Sequence, residues 1–266
     1  RCPINEKLGQ FTGNVAHSMP NYGLRIFHGH SPRTQPCSGI SASNPTIQAY
    51  YEEFLAYKTG RNGVIGGNFG AVTLRKIQTV DSGLAGIEYE KVVGVDEGVT
   101  MVEDSMVVGR SGDNWDGGSS SPHGIIAPRT DKSVWSNIRF YNYDFNSAAA
   151  IGTCSHCYSK PSTDSDARTV KTEMLTFTNV DKRIRYQYPF RGIINDLDGS
   201  LTGLGPDTWA TSYWYHNAAQ PECDTSSADR DLYDGILCNE DVEVRRVVMY
   251  DAEPGSLNKR NLFVAP

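Results

Sequence analysis

Hydrophobic residues in this chain come in short runs in which apolar and polar positions alternate, separated by turns rich in Gly, Asn, Asp and Ser. Such alternation, bounded by turn residues, is typical of β-strands. Helical periodicity is almost absent, and the best helical segment, residues 46–57, continues directly into a strand-like run. The pattern therefore predicts an all-β chain. The clearest runs are "AVTLRKIQTV" (71–80), "VTMVEDSMVVG" (99–109), "SVWSNIRFYNYDF" (133–145), "VKTEMLTFTNV" (170–180) and "VEVRRVVMY" (242–250).

These runs share one form, in which a short strand leads into a turn and then into a second short strand. The segments "FLAYKTGRNGVIG" (54–66) and "IQTVDSGLAGIE" (77–88) superpose with Gly63 over Gly86, a spacing of 23 residues. Gly23 fits over Gly63 in the same way after a longer insertion. Irregular repeats of one short, all-strand unit are typical of a solenoid, in which each coil stacks on the next.

The fold predicted from this repeat is a parallel β-helix with long inserted loops, a single domain over residues 1–266. In such a fold Val64 and Ile87 lie on adjacent coils, in parallel register, and point into one continuous core. A β-sandwich, which also contains many short strands, is the alternative.

Composition and charge exclude two classes of protein. The chain has 266 residues, with 25 Lys and Arg against 31 Asp and Glu, so its formal net charge is −6. Nucleic-acid binding requires a basic stripe, so a nucleic-acid partner is not expected. No run of 18 apolar residues is present in the sequence, so no membrane-spanning segment is predicted.

The six cysteines indicate disulfides and therefore an oxidising, extracellular compartment. Six cysteines allow 15 connectivities, but two pairs are close in sequence and lie in loop-like segments. Local pairing is therefore expected, and zinc bound through the Cys-x-x-Cys spacing is the alternative. The expected pairs are Cys2 with Cys37, Cys154 with Cys157, and Cys223 with Cys238.

The stretch "NDLDGSLTG" (195–203) carries the most closely spaced candidate chemistry. In the first interpretation Asp196 and Asp198 form a structural turn, in which they accept hydrogen bonds from backbone amides and Gly199 adopts a positive φ. In the second, Asn195, Asp196 and Asp198 supply oxygen ligands to calcium, although the spacing is not that of an EF-hand. In the third, the two carboxylates act as a catalytic pair on a glycan.

Two further groups of side chains are candidates for ligand contacts. His28 and His30 alternate as on a strand, so they are candidate metal ligands or, alternatively, solvated loop residues. The segment "WATSYWYH" (209–216) places Trp209, Tyr213 and Tyr215 at even spacings. These rings are candidates for stacking on a sugar or packing against a partner chain, and the alternative is that they cap one end of the solenoid.

Three stretches resemble fibrocystin and its fibrocystin-like relatives. They are "NVAHSMPNYGLRIFHGHSPRTQPC" (14–37), "FLAYKTGRNGVIGGNFGAVTLRKIQTVDSGLAGIE" (54–88) and "DLDGSLTG" (196–203). The same order of segments resembles the region that follows the G8 domain in the cell-migration-inducing hyaluronidase family. The resemblance implies a right-handed parallel β-helix that forms part of a much larger extracellular protein.

The resemblance leaves the function open, because the fibrocystin branch consists of cell-surface and ciliary ectodomains whereas the hyaluronidase branch degrades a glycan. The function expected of this chain is structural: a segment of a cell-surface or ciliary ectodomain that supports adhesion, assembly or partner binding, with other extracellular chains or domains of the same polypeptide as partners. The alternative is a glycan-binding or glycan-depolymerising domain like the hyaluronidase branch, with Asp196 and Asp198 as the catalytic pair. No cofactor is expected, with calcium as the alternative, and catalysis by this chain is not expected.

Overall fold

The described residues form an all-β chain with extended parallel sheets. The computed structural model describes residues 2–39, 41–112, 123–145, 148–153, 169–186, 192–212, 223–224, 232–239, 241, 247–248 and 261–262. A 3₁₀ turn at Pro3–Asn5 precedes the strands. No helix in these ranges is long and apolar enough to cross a membrane. The strands are β1 (Val15–His17), β2 (Tyr22–His30), β3 (Ala49–Glu52), β4 (Leu55–Thr59), β5 (Asn62–Phe69), β6 (Val72–Arg75), β7 (Gln78–Ser82), β8 (Ala85–Val92), β9 (Thr100–Val108), β10 (His123–Ala127), β11 (Ser133–Tyr143), β12 (Ala149–Thr153), β13 (Thr169–Glu173), β14 (Thr176–Val180), β15 (Ile184–Tyr186), β16 (Ile193–Asp196), β17 (Thr208–Ser212), β18 (Cys223–Asp224), β19 (Gly235–Cys238), β20 (Val247–Val248) and β21 (Asn261–Leu262).

Strand pairing divides each coil into three faces. The first face stacks β3, β6, the start of β9, the start of β11, β13 and β16. The second face stacks β1, β4, β7, the end of β9, the end of β11 and β14. The third face stacks β2, β5, β8, β10, β12 and β15. Every one of these pairs is parallel, as expected of a β-helix or another solenoid-like fold.

A ladder of aliphatic side chains shows how the coils share one core. Val64 pairs with Ile87, Ile87 with Ile125, Ile125 with Ile151, and Ile151 with Ile184. All five side chains are fully buried in the same hydrophobic cluster. The predicted parallel register of Val64 and Ile87 is therefore confirmed, and so is the spacing of 23 residues that the sequence repeat gave. The segment 46–57, the best helical pattern in the sequence, instead contributes β3 and β4.

The repeated glycines lie at the beginning of third-face strands, where two faces come close together. A Cβ atom on Gly63 would lie 2.5 Å from Thr79 Cγ2 and 2.8 Å from the carbonyl oxygen of Gly86. A Cβ atom on Gly86 would lie 2.5 Å from Val107 Cγ1 and 2.8 Å from the carbonyl oxygen of Gly124. The sequence repeat therefore marks close packing between faces and coils rather than a turn conformation.

The corner between the first and second faces is made by a left-handed residue in every coil. Along the stack this column contains Glu53, Lys76, Asp104, Asn137 and Met174, each with φ between 51° and 53°. None of these residues is glycine, yet the corner recurs because one left-handed residue turns the strand from one face to the next. Neighbours in the column also bond to one another, since Lys76 Nζ lies 3.1 Å from Glu53 Oε1.

The pairing changes direction at the C-terminal end of the large sheet. β16 pairs antiparallel with β17, β17 antiparallel with β19, and β18 antiparallel with β19. A hairpin-like end of this kind stops the parallel stack and covers its last coil. The stack therefore has a closing layer at this end, and that layer includes Trp209 from the predicted aromatic segment.

Candidate functional site

Asp196, the last residue of β16, is the buried anchor of the turn that follows it. Its side chain is fully buried. Its Oδ2 atom accepts hydrogen bonds from Leu201 N at 3.0 Å, Thr202 N at 2.7 Å and Thr202 Oγ1 at 2.9 Å. A carboxylate that accepts two amide hydrogen bonds replaces the strand pairing that the chain loses where it leaves the sheet. These contacts match the structural-turn interpretation of the sequence.

Asp198 lies two residues further on and is exposed. Its Oδ2 atom accepts a hydrogen bond from Met174 N at 2.7 Å, and its Oδ1 atom accepts one from Ser200 N at 3.0 Å. Gly199 has φ of 80°, as predicted, and a Cβ atom there would lie 2.7 Å from the carbonyl oxygen of Gly205. Glycine is therefore required at this position both for its conformation and for the close approach of the two chain segments.

The two carboxyl groups have pKa values shifted in opposite directions. Burial raises the pKa of Asp196, against the lowering effect of the hydrogen bonds from Thr202 and Leu201. Partial burial also acts to raise the pKa of Asp198, but hydrogen bonds from Ser200 and Met174 outweigh it and the net shift is downward. Opposite shifts are a feature of catalytic acid–base pairs. Here, however, the group with the raised pKa is fully buried and faces amides, so a glycan would have to open the turn to reach it.

The predicted calcium ligands are partly committed to other partners. Asn195 donates from Nδ2 to the carbonyl oxygen of Thr208 at 3.3 Å. Asp196 Oδ1 is buried and has no hydrogen-bond partner among the described residues. Within the described ranges no cluster of three or more His, Cys, Asp or Glu side chains is placed to hold a metal. Because calcium takes six to eight oxygens, these residues alone fit it poorly.

Side chains from two other segments hold the far part of the turn. Tyr233 donates from its hydroxyl group to the carbonyl oxygens of Leu201 at 3.1 Å and Thr202 at 3.0 Å. Arg183 donates from Nη1 to the same Leu201 carbonyl and also lies 3.1 Å from the Tyr233 hydroxyl. Asp196 therefore holds the turn through its backbone amides, and Tyr233 and Arg183 hold it through its backbone carbonyls.

Trp209 belongs to a small core at the C-terminal end of the sheet. It is 9% exposed and packs with Ile193, Ile236 and Cys238, next to the Cys223–Cys238 disulfide. This packing places the indole inside the closing layer and not on an open surface for stacking on a sugar. Tyr213 and Tyr215, the other two members of the predicted aromatic group, lie outside the described residues.

The structure contains two of the three expected disulfides. Cys2 is joined to Cys37, and Cys223 to Cys238. Cys154 and Cys157, with His156 between them, lie outside the described residues, so their pairing stays a prediction. The two observed bonds fit an oxidising compartment.

The histidines of "FHGH" do not share an environment. His28 is exposed, whereas His30 is 5% exposed and bonds through Nε2 to the Glu6 carbonyl oxygen at 2.9 Å and through Nδ1 to the Tyr51 hydroxyl at 3.0 Å. Burial lowers the pKa of His30, against the raising effect of the Glu6 bond. A neutral ring that donates to Glu6 and accepts from Tyr51 explains this environment better than a metal ligand does.

Sequence reasoning missed a buried polar group on the third face. Asn62 and Glu88 are both buried, and Asn62 Nδ2 donates to Glu88 Oε2 at 2.8 Å. His123 is 2% exposed. Its burial, together with the positive charge of Arg185, lowers its pKa to about 4. The available signal was a polar side chain within an otherwise apolar strand, as in "HGIIA" (123–127).

Comparison with known proteins gives distant similarity over most of the chain. No protein-family model matches it. The chain is 28% identical to fibrocystin of Canis lupus familiaris over 234 residues, or 87% of the chain, and 21% identical to fibrocystin-L of Homo sapiens over 273 residues, or 99% of the chain. These alignments span only 5% and 6% of those relatives. The similarity supports a fibrocystin-like domain, whereas the resemblance to the G8-containing hyaluronidases stays a prediction.

Proposed function

We propose that this chain is a right-handed parallel β-helix segment of a large, extracellular, receptor-like ectodomain, in which it serves as a rigid structural element. Three features support the proposal. The parallel coils share one continuous core, the disulfides suit an oxidising compartment, and the relatives are proteins of which this chain would be a small part.

The hydrogen bonds of Asp196 and Asp198, the predicted catalytic pair, support the structural interpretation. Asp196 and Asp198 together accept five hydrogen bonds, four of them from backbone amides of the coil corner and the turn. A glycosidase needs one carboxyl group that reaches the glycosidic oxygen and a second that faces the sugar. Both carboxyl groups here already stabilise the chain conformation, so the geometry favours a structural role for the stretch.

Glycan depolymerisation is the second candidate function, and the opposite pKa shifts of the two aspartates favour it. The test is to incubate the protein with size-defined hyaluronan, with and without calcium, and to follow glycan length on gels. We expect no change in length. The Asp196→Asn and Asp198→Asn variants, with Asp104→Asn at another exposed corner as a matched control, make a positive result interpretable. Depolymerisation that both aspartate variants lose and the control retains would establish the enzyme and overturn the structural role.

A further inference from the structure

The N-terminal end of the stack has open strand edges in the described part of the chain. β1 is the end strand of one large sheet and β2 is the end strand of the other, so each pairs with a neighbour on one side. The pairing of β2 with β5 is regular from Tyr22 to Ile26, after which the register shifts. An open edge presents backbone N–H and C=O groups that accept another strand. The usable edge of β2 is therefore about five residues long.

A groove runs along this edge of β2. It lies between β2 and residues 3–9 and has a volume of about 360 Å³. Leu8, Leu24, Ile26 and Tyr51 supply its apolar lining. An open edge beside an apolar groove is the arrangement that proteins use to bind an extended peptide by strand addition, with backbone bonds for affinity and side-chain pockets for specificity.

The opposite wall of the groove is held in place by contacts to the end of β2 and the loop after it. Ser31 N donates to the carbonyl oxygen of Ile4 at 2.8 Å, and Arg33 N donates to that of Asn5 at 2.9 Å. The bond from His30 to Glu6 and the Cys2–Cys37 disulfide fix the same segment. Since the wall is anchored at several points, the groove exists before a ligand enters, which lowers the entropic cost of binding.

Positively charged side chains around the groove favour a negatively charged ligand. Arg25 is exposed, and its guanidinium carbon lies 4.2 Å from the centroid of the Phe27 ring and 5.3 Å from that of Tyr22, so two aromatic rings orient it. Lys7 also lines the groove, and among the residues that the structure describes Glu6 is the one acidic side chain that does. The sequence between residues 7 and 51 contains none of the chain's 31 acidic residues. A ligand with carboxylates therefore meets cations here on an otherwise acidic protein.

Apolar surface at this end is unusually exposed. Phe27 exposes 61% of its surface and Val15, in the other edge strand, exposes 60%. Phe27 also lines the groove, so a peptide bound there would cover part of this exposed apolar surface.

We propose that this groove binds an extended acidic peptide of a partner protein, which adds a strand to the open edge of β2 and places carboxylates beside Arg25 and Lys7. The inference deepens the proposed structural role and rests on it, because a structural segment of an ectodomain works through contacts with other chains.

The probe is a capped five-residue peptide that alternates glutamate and valine, and binding is measured by fluorescence anisotropy at low salt. Its counterpart alternates lysine and valine. Two further glutamate peptides carry N-methyl groups on odd or on even positions. We expect the acidic peptide to bind and the basic one not to bind. One of the two N-methylated peptides should lose about two- to tenfold in affinity, since its methyl groups replace the backbone N–H donors that face β2. The other should bind normally, because its methylated nitrogens point away from β2.

The variant arm replaces Arg25 by Gln and uses Arg139→Gln, an exposed arginine on the second face, as the matched control. We expect Arg25→Gln to weaken the acidic peptide by about three- to fivefold and Arg139→Gln to leave it unchanged. Equal binding of acidic and basic peptides, insensitivity to both methylation patterns, or no binding at millimolar peptide would overturn the groove proposal. Binding of an acidic oligosaccharide in place of the peptide would also overturn it. Thermal unfolding of Arg25→Gln is measured alongside. If unfolding is unchanged and the peptide does not bind, the groove proposal fails while the structural role stands.

Discussion

Replacing Asp196 by Ala removes the acceptor for the turn after β16 and is the sharpest perturbation of the candidate site. The substitution leaves the amide groups of Leu201 and Thr202 without their carboxylate partner. Both amide donors are buried, so bulk water does not reach them as it reaches Asp198. The Thr202 hydroxyl keeps a second partner, since it lies 2.6 Å from the Thr208 hydroxyl.

The expected loss in the free energy of unfolding follows from the number of amide donors left without an acceptor. A buried donor without an acceptor costs about 1–3 kcal/mol, so two donors give a loss of about 2–6 kcal/mol in the free energy of unfolding. This is a large part of the stability of an ordinary domain, about 5–15 kcal/mol. Asp196→Asn retains one carbonyl oxygen as acceptor, and we expect it to cost about 1 kcal/mol.

The assay is urea unfolding followed by tryptophan fluorescence, with Asp198→Ala as the control. Asp198 also accepts two backbone amides, from Met174 and Ser200, but it is exposed, so water can take its place. We expect this control to cost about 0.5–1.5 kcal/mol. Equal losses in the free energy of unfolding for the two alanine variants would refute the argument that burial makes the hydrogen bonds of Asp196 the more important ones for the turn.

The pH dependence gives an independent check on the same residue. Burial raises the pKa of Asp196 in the folded chain above its unfolded value. The folded state therefore binds more protons than the unfolded state between those two pKa values, and the Asp196 contribution to stability decreases as pH rises through that range. We expect the stability of the wild type relative to Asp196→Asn to decrease from about pH 4 upward and then to level off. A difference that stays constant from pH 3 to pH 7 would contradict the raised pKa.

The remaining predictions concern the coils and their closing layer. Gly63→Ala should cost about 1–3 kcal/mol by thermal or urea unfolding, because its Cβ would lie 2.5 Å from a Thr79 methyl group, and an unchanged stability would contradict the close packing of the faces. Met174→Asn should stabilise the chain by about 0.5–1 kcal/mol, because asparagine tolerates the left-handed corner better than methionine; a loss would contradict the corner assignment. Replacing Cys223 and Cys238 together by Ser should cost about 3 kcal/mol, measured against the wild type under non-reducing conditions, and no loss would show that the bond does not stabilise the closing layer.

The stacking of coils could be predicted from the sequence because the sequence pattern of one coil repeats in the next. The spacing between Gly63 and Gly86 gave the register of two coils, and Val64 and Ile87 follow from it since register fixes which side chains share a core. Gly199 was accessible for a similar reason, because a glycine directly after aspartate in a polar stretch signals a positive φ.

The three-faced shape of the coil was not accessible in the same way. Its corners are made by residues such as Lys76 and Met174, which have no sequence preference for the left-handed region, so tertiary packing imposes the conformation. The burial of Asp196 also escaped sequence reasoning, because it depends on amides five and six residues away that fold back over the carboxylate. The groove beside β2 depends on residues 3–9, which are distant from it in sequence.

Distances along one column of coils test the central claim, a rigid stack of parallel coils, most directly. Ser18, Lys58, Asp81, Asn142 and Asn179 occupy equivalent positions on successive coils, with Gly109 between the third and fourth of them. Spin labels attached through a noncanonical amino acid at Ser18 and at one other position leave the native cysteines intact. With strands about 4.8 Å apart, pulsed electron–electron double resonance should give separations near 19 Å to Asn142 and near 24 Å to Asn179, with narrow distributions. Separations that do not increase along the series, or broad distributions throughout, would contradict the stack.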